Sequence, residues 1–420
     1  MIEDGKAIII TRNVEQNIII PIEILFIKPF YKEENIVTMK ENIIKKITMK
    51  KKLIISVLIF LLLLAGCKTN TITNTPGNLP LNSDNASSDF RTIVDAFGRE
   101  VKVPKKVETT AAIGGAARIL TYAGCADKLV GITDMDKKNL PAMPYTVVNA
   151  QHFSTIASVG SGGSNDTCYI EELINLAPDV IFGLTDEDTI KNVAEKTGIP
   201  TVAVYPTNMF DESFYFALEL VGQIMGTNAH STKVIDYVKS CQMDLDKRTK
   251  DIGNDSKPSV YSGAVSFRGA HGIEGTYADY PPFTAIHAKN VVDETGKSGS
   301  LLIDLEKLTV WDPDIIFLNP TNMHLVNEDY AKNKAFYNNL KAVKNGNVYS
   351  QISYNYNWTN MEIAIANAYY AGKIIYPEKF SDIDPIKKAD EIFTTMLGQP
   401  FYDKLLEAGY KFDKISIGEK

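Results

Sequence analysis

Two loops of this chain combine glycines with polar side chains that could bind a ligand. In the first, Gly114 and Gly115 precede Arg118 at the start of a predicted helix, where free backbone N–H groups could face an anionic group. A tight turn between strand and helix is the alternative explanation of these glycines. The second loop, residues 160–164, could form the rim of a cleft through Ser161. Its spacing fits neither a nucleotide phosphate loop nor a nucleophile elbow.

A third loop, residues 267–276, places an aromatic ring, a cation and an imidazole among glycines. The ring belongs to Phe267. The guanidinium of Arg268 could hold a carboxylate or an oxyanion through two parallel hydrogen bonds. The imidazole of His271 could ligate a metal or hydrogen-bond a chelate, although a lone histidine more often has a structural role.

The fourth loop, residues 354–360, alternates aromatic rings with amides just before a predicted helix. Rings and amides together suit a flat or chelated ligand, which they can stack on and hydrogen-bond. Packing of the rings against the terminal helix is the alternative. The ligand-binding candidates from this loop and from two further strand ends are Tyr354, Tyr356, Trp358, Tyr205 and Asn319.

Histidine and cysteine spacing argues against a metal site made by the protein alone. The five histidines form no HExxH or HxH pattern, and the four cysteines form no CxxC pair. We therefore expect no bound cofactor, and a metal, with iron preferred, that arrives already chelated. Cys125, Cys168 and Cys241 are expected to be free thiols, with one disulfide as the alternative. The net charge of −7 argues against a nucleic-acid partner.

Strand and helix patterns alternate through the chain from residue 91 onwards. A β-hairpin is predicted over residues 92–103, and buried strands over 107–113 and 259–265. Residues 211–251 have the spacing of amphipathic helix, with a break near Gly226. Such alternation predicts the α/β class with parallel sheets.

An internal repeat divides this region into two halves. Residues 171–182 and 306–317 share a Glu, a Leu two positions later, a Pro-Asp pair and a β-branched strand that ends in Phe. The pattern predicts a short helix, a stop at Pro-Asp and a buried strand. Its recurrence predicts two lobes of similar construction, with a chance match as the alternative.

The N-terminal region indicates export and anchoring. Residues 49–66 consist of a basic start, an apolar run too short for a membrane span of about 20 residues, and small residues before Cys67. This segment resembles the lipobox signal peptide of bacterial lipoproteins, in which the cysteine is diacylated. A transmembrane anchor is the alternative. Residues 1–48 are then a mis-called or dispensable extension, and residues 67–90 a lipidated cysteine with a flexible tether.

The lipobox, the hairpin motif from Asp95 to Arg99, the repeat and the helical crossover together resemble the substrate-binding proteins of ABC importers for iron–siderophore, haem and cobalamin. The resemblance implies two Rossmann-like α/β lobes with central parallel sheets, a long connecting helix and a ligand cleft between the lobes. In this chain these are an N-terminal lobe over 91–208, an inter-lobe helix over 209–256, and a C-terminal lobe with terminal helices over 257–420.

The resemblance also implies a function. Glu171 and Glu306 match by their place in the repeat the residues that dock onto a permease dimer with its ATPase. We expect a monomer at the extracellular or periplasmic face of the membrane that captures a metal chelate, with a ferric siderophore preferred, and that is not an enzyme. Haem, a corrinoid and a molybdate-type oxyanion stay open as ligands. A surface hydrolase and a ligand-sensing partner of a receptor are the more distant alternatives.

Overall fold

The computed structural model describes residues 2–3, 6–7, 89–163, 166–206 and 209–418. The chain divides into two compact units, Met1–Asp84 and Asn85–Lys420. In the first unit, the described residues form two antiparallel strands, β1 (Ile2–Glu3) and β2 (Lys6–Ala7). The predicted signal peptide, Cys67 and residues 68–88 of the tether lie outside the described residues. All that follows concerns the second unit.

The first lobe, here called the N-lobe, comprises the described residues up to 206. Its strands are β3 (Phe90–Val94), β4 (Glu100–Pro104), β5 (Thr110–Gly114), β6 (Leu129–Thr133), β7 (Ala157–Gly160), β8 (Val180–Leu184) and β9 (Thr201–Ala203). Its helices are α1 (Ala116–Tyr122), α2 (Pro144–Val148), α3 (Ala150–Phe153), α4 (Ile170–Leu176) and α5 (Glu187–Thr197), with 3₁₀ turns at Ala126–Lys128 and Asp136–Lys138. Strands β7-β6-β5-β8-β9 form a parallel sheet in that order, and β3 and β4 form the predicted hairpin.

The hairpin turn is held by the buried carboxylate of Asp95. It accepts hydrogen bonds from the backbone N–H groups of Phe97 and Arg99, both at 3.0 Å, and forms an ion pair with the Arg99 guanidinium. It also accepts from the backbone N–H of Ala203 at 3.1 Å, which fastens the hairpin to β9. Gly98, with φ of 74°, supplies the left-handed residue of the turn.

Two helices connect the lobes, α6 (Glu212–Met225) and α7 (Asn228–Thr249). Asp211 caps α6 by accepting a hydrogen bond from the backbone N–H of Ser213 at 2.7 Å. Gly226 ends α6 in the left-handed conformation, with φ of 76°. The predicted helical segment and its break near Gly226 are therefore both present.

The second lobe, here called the C-lobe, comprises residues 259–418. Its strands are β10 (Ser259–Gly263), β11 (Gly275–Ala278), β12 (Lys289–Asn290), β13 (Gly299–Leu302), β14 (Ile315–Leu318) and β15 (Val348–Ser350). Its helices are α8 (Pro281–Thr284), α9 (Leu305–Trp311), α10 (Met323–Lys332), α11 (Lys334–Asn339), α12 (Lys341–Lys344), α13 (Met361–Ile375), α14 (Pro385–Leu397) and α15 (Tyr402–Glu407), and 3₁₀ turns lie at Asn254–Ser256, just before the lobe, Val291–Thr295 and Pro320–Asn322. Strands β12-β10-β14-β15 form a parallel sheet, and β11 pairs antiparallel with β13.

The sequence repeat is also a structural repeat, because α4–β8 and α9–β14 are built alike. Each helix ends on a left-handed residue, Ala177 (φ 44°) or Asp312 (φ 40°). The aspartate of each Pro-Asp pair then binds the chain that leads into or begins the neighbouring strand. Asp179 accepts from the backbone N–H of Thr109 at 2.9 Å, and Asp314 accepts from that of Ser259 at 2.8 Å.

One hydrophobic core runs through both lobes and the crossover. Helix α13 is buried along almost its whole length, and its apolar side chains share a core with those of α1, α6, α7 and α14. Smaller clusters fill the outer faces of the two sheets. The predicted fold class is confirmed: two α/β lobes with parallel sheets, joined by the helices α6 and α7.

Candidate functional site

A cleft of about 650 Å³ lies between the lobes, at the carboxyl ends of the parallel strands. We call this cavity the cleft. The N-lobe contributes Met135, Ala142 and Gly163. The C-lobe contributes Ser266, Phe267, Arg268, Gly269, Ala270, Thr321, Asn322, Ile352, Ser353, Asn355, Tyr356, Asn357, Trp358 and Tyr410.

Four predicted ligand contacts line the cleft: Phe267, Arg268, Tyr356 and Trp358. Arg268 has φ of 51°, a left-handed backbone that is uncommon for a residue with a side chain. The loop around it is closed by a hydrogen bond of 3.0 Å from the backbone N–H of Phe267 to the carbonyl of Gly269. Whether these four residues touch a ligand stays a prediction.

His271 lies behind this loop and does not line the cleft. Its Nε2 is 2.8 Å from the carbonyl oxygen of Phe267, and the two rings lie 4.3 Å apart between centroids. A Cβ on Gly275 would lie 2.5 Å from that of His271, so the glycine makes room for the imidazole. In this arrangement His271 supports Phe267, the structural role that a lone histidine more often has.

Gly115 and Tyr205 lie behind Trp358. The Tyr205 and Trp358 rings meet edge to face at 5.4 Å between centroids. A Cβ on Gly115 would lie 2.6 Å from Cδ1 of Trp358, so only glycine allows the indole to approach the N-lobe this closely. Gly114 has φ of 63°, and a Cβ added there would lie 2.0 Å from the carbonyl oxygen of Leu184, so this position also requires glycine. Gly115 and Tyr205 therefore position Trp358, and none of the three residues lines the cleft.

Arg118 is fully buried beneath the fourth loop. Its guanidinium donates to the carbonyl oxygens of Tyr356 at 3.2 Å and Asn357 at 2.6 Å, and to Oδ1 of Asn360 at 3.1 Å. It also lies 4.6 Å from the centroid of the Tyr145 ring. Arg118, a candidate ligand-binding residue, does not line the cleft in this structure, because its guanidinium contacts the backbone of the fourth loop and the Asn360 side chain.

Two buried carboxyl groups surround this guanidinium. The hydroxyl of Tyr122 donates to Glu362, and that of Tyr145 donates to Asp136 at 2.5 Å. Burial raises the pKa of Glu362 and of Asp136, while these hydroxyls and the charge of Arg118 oppose the rise. The network ties α1 and the residues after β6 to the loop before α13, across the lobe boundary.

The remaining loop candidates lie near the cleft without lining it. Ser161 accepts hydrogen bonds from Thr167, at 2.9 Å from its backbone N–H, and thereby closes its own loop. Gly163, two residues later, does line the cleft and donates its backbone N–H to Oδ1 of Asn357 at 3.2 Å. Ser164 lies outside the described residues. Asn319 and Tyr354 line a second, smaller cavity of about 20 Å³ in the C-lobe.

Several residues of the cleft are not among those predicted from the sequence. Met135 and Thr321 follow strands β6 and β14, so the rule that clefts form at strand ends could have found them. Asn357 belongs to the predicted fourth loop. Tyr410 comes from the end of the terminal helical region, and no local pattern marks it as a cleft residue.

Glu171 and Glu306 are exposed in the first turns of α4 and α9, the two equivalent helices of the repeat. An exposed apolar side chain follows each within one turn: Ile174, 47% exposed, and Val310, 83% exposed. The two copies of the repeat thus present the same pair of surface features, a carboxylate and an apolar side chain. Docking itself stays a prediction.

The described residues contain no group of three or more His, Cys, Asp or Glu side chains that could hold a metal ion. Within them, Cys125, Cys168 and Cys241 are free cysteines, which is the state expected from the sequence. No helix of this part of the chain has both the length and the apolar character needed to cross a membrane.

Comparisons with known proteins agree with this architecture. A family model described as "Periplasmic binding protein" matches residues 112–353. An ABC transporter substrate-binding lipoprotein, YvrC, of Bacillus subtilis (strain 168) is 26% identical over 273 residues, 61% of this chain and 77% of that protein.

Solved structures resemble the fold at lower identity. A periplasmic solute binding protein from Veillonella parvula DSM 2008 has a TM-score of 0.62 and 20% identity, over 76% of this chain and 96% of its own. The molybdate periplasmic binding protein MolA of Haemophilus influenzae, solved with molybdate, has a TM-score of 0.59 and 19% identity, over 77% of this chain and 100% of its own. At these identities the structures support the fold alone.

Proposed function

This chain belongs to the periplasmic binding protein family and is the substrate-binding protein of an ABC importer, and we propose that its cargo is a metal chelate, with a ferric siderophore preferred. A substrate-binding protein captures a solute and passes it to a membrane permease, so the chain is a binding protein and not an enzyme. The protein's partners are the permease, which receives the captured solute, and its ATPase.

The observation that carries the proposal is the size and lining of the cleft. A volume of about 650 Å³ lies within the range of about 300–1,000 Å³ that small-molecule sites occupy. The rings of Phe267, Tyr356, Trp358 and Tyr410 offer apolar faces, and amides and hydroxyls lie between them. A bare tetrahedral oxyanion would leave most of this space and all of the ring faces unused, whereas an organic chelate would use both.

The charge of the cleft also restricts the chemical class of the proposed cargo. Among the described residues that line it, Arg268 is the one charged side chain, and the others are neutral. A single guanidinium suits a chelate that is neutral or carries one anionic group, because each additional buried anionic charge would lack a partner. This favours a ferric hydroxamate over a highly anionic catecholate. Haem and a corrinoid remain the alternative cargoes.

Delivery is proposed to use the two lobes equally. Glu171 and Glu306 are exposed at equivalent positions of a structural repeat, so each can face one of two like subunits of a permease. Ile174 and Val310 would add apolar contact beside each carboxylate. Cys67 is proposed as the lipid anchor, which places the protein at the outer face of the membrane, and the chain is expected to act as a monomer.

Fluorescence titration tests the cargo directly, because the chain has two tryptophans. Trp358 lines the cleft, whereas Trp311 lies on α9 and donates Nε1–H to Glu294 at 3.1 Å. In a Trp311→Phe background the remaining emission therefore reports on the cleft. Ferric hydroxamates, ferric catecholates, haem, cobalamin and molybdate are titrated in turn.

We expect saturable quenching by a ferric hydroxamate at low micromolar concentration or below. The matched Trp358→Phe variant, which keeps Trp311, should show no saturable change. If molybdate saturates the signal and no chelate does, the cargo is an oxyanion and not a chelate. If no compound in the panel saturates the signal, the chelate proposal is contradicted as a whole.

A further inference from the structure

The small cavity in the C-lobe holds polar side chains that have no partner in the described structure. Both ends of the Gln351 side-chain amide, Nε2 and Oε1, lack a hydrogen bond, and so does the hydroxyl of Tyr354. The two residues are only 3% and 4% exposed, so bulk water does not reach them. Buried polar groups in folded proteins nearly always have a partner, and leaving three unpaired in one place is costly.

The cavity has the size and lining of a site for one small polar group. Its volume is about 20 Å³, and a single water needs at least about 10–15 Å³. Hydroxyls and amides surround it, and none of the lining side chains is charged: Ser262, Gly263, Val265, Ser266, Tyr280, Asn319, Gln351, Ser353, Tyr354 and Asn355. An ionic group would be buried here without a counter-charge, which excludes a carboxylate or an ammonium group.

The small cavity adjoins the cleft. Apart from Tyr280, which precedes α8, its lining comes from the ends of β10, β14 and β15 and from the residues that follow them. Ser266, Ser353 and Asn355 line both the cavity and the cleft. Burial raises the pKa of Tyr354, and the neighbouring Asn355 side chain opposes this rise from outside the geometry of a hydrogen bond, so the hydroxyl stays unpaired. The cavity is thus a deeper extension of the C-lobe wall of the cleft.

We propose that Gln351 and Tyr354 form a polar subsite that binds one uncharged oxygen atom beneath the cleft. The amide can both donate and accept, as can the phenol, so the occupant must do the same or be reached through a water. A water and an uncharged hydroxyl of the cargo share this chemistry, because each can donate as well as accept. The cargo form of the proposal rests on the function proposed above, whereas the water form does not.

Urea unfolding without ligand tests the subsite itself. Gln351→Met and Tyr354→Phe each remove hydrogen-bonding capacity at nearly constant volume. If an oxygen is bound there, each variant should lower the urea midpoint, because that oxygen loses a partner. Tyr349→Phe is the matched control, since this half-buried tyrosine lines neither cavity, and its midpoint should not change. A midpoint that is unchanged or raised in either cavity variant overturns the proposal, because the cavity is then dry.

A crystal structure of the ligand-free protein provides the second measurement. We expect an oxygen within hydrogen-bond distance of both the Gln351 amide and the Tyr354 hydroxyl. An empty cavity overturns the proposal even if both variants are less stable, since their loss would then come from packing alone.

Titration with ferrichrome, an uncharged ferric trihydroxamate, separates the two sources of the oxygen. If a cargo oxygen enters the subsite, the Kd should rise roughly tenfold in each cavity variant and stay unchanged in Tyr349→Phe. An unchanged Kd together with the crystallographic oxygen assigns the subsite to water. If ferrichrome does not bind the unmodified protein, the cargo proposal fails for this chelate, while the unfolding and crystallographic measurements still decide the subsite.

Discussion

Arg118 of the N-lobe donates a hydrogen bond of 2.6 Å to the carbonyl oxygen of Asn357, in the C-lobe loop that presents Trp358 to the cleft. Asn357 and Trp358 both have left-handed backbones, with φ of 49° and 73°. Two such residues in succession persist only where their surroundings hold them. The buried guanidinium is placed to do this, so a charge far from solvent determines the shape of a surface loop.

Arg118→Met should release this loop. The substitution leaves Oδ1 of Asn360 and the carbonyl oxygens of Tyr356 and Asn357 without this donor and should lower the free energy of unfolding by about 1–3 kcal/mol or more. In the Trp311→Phe background, Trp358 emission should shift to longer wavelength and become more accessible to acrylamide. Arg248→Met, which breaks an exposed ion pair with Asp382 far from the loop, should lose stability without the spectral change. A folded Arg118→Met protein with unaltered Trp358 emission contradicts this positioning role.

Gly115→Ala should displace the indole of Trp358. The added methyl would lie 2.6 Å from Cδ1, well inside van der Waals contact, and neither β5 nor α1 can move without disturbing the core. We expect a weaker affinity for the cargo, by about tenfold, and an altered Trp358 emission. Gly253→Ala is the matched control, because nothing lies within 4 Å of its added Cβ, and it should change neither property.

Asp179 should make folding stability depend on pH in the acidic range. Partial burial raises its pKa, but the N–H groups of Thr109 and Glu108 outweigh this and hold it below the ordinary value of 3.8. A carboxyl with a lowered folded-state pKa stabilises the fold above 3.8, and this contribution is lost as the pH falls through the folded-state pKa.

The measurement is urea unfolding of the wild-type protein and Asp179→Asn at a series of pH values from 6 down to about 2.5. The stability difference between the two proteins should be largest near neutrality and shrink below the ordinary pKa. Asp255→Asn removes an equal charge from an exposed turn and should show a small difference at every pH. A constant difference between wild type and Asp179→Asn would mean that this carboxylate contributes no pH-dependent stability.

Replacing Glu171 and Glu306 together by glutamine should abolish delivery and leave capture intact. The two carboxylates lie on helices outside the cleft, so the Kd for the cargo in the fluorescence assay should not change. Uptake of radio-iron by cells that carry only the variant should fall to background, with each single variant in between. Glu195→Gln, on a helix outside the repeat, should support normal uptake. Normal uptake by the double variant would contradict the assignment of Glu171 and Glu306 as docking residues.

The fold class could be predicted from the sequence alone, because period-2 and period-3.6 patterns reflect which faces of local elements are buried. The repeat around Pro-Asp also had a local cause, because each helix ends on a left-handed residue directly before the Pro-Asp pair. The hairpin motif from Asp95 to Arg99 and the helix break at Gly226 could be predicted too, because each depends on residues that are close together in the chain.

Which candidate side chains reach the cleft depends on how distant segments of the chain pack together. Sequence spacing placed Arg118 and Arg268 in similar glycine-rich loops, yet one is buried against backbone carbonyls 238 and 239 residues away and the other lines the cavity. The unpaired amide of Gln351 and the approach of Tyr410 likewise depend on how distant segments pack. Such contacts join residues far apart in the chain, and no local pattern specifies them, because burial and partnership are properties of the assembled core.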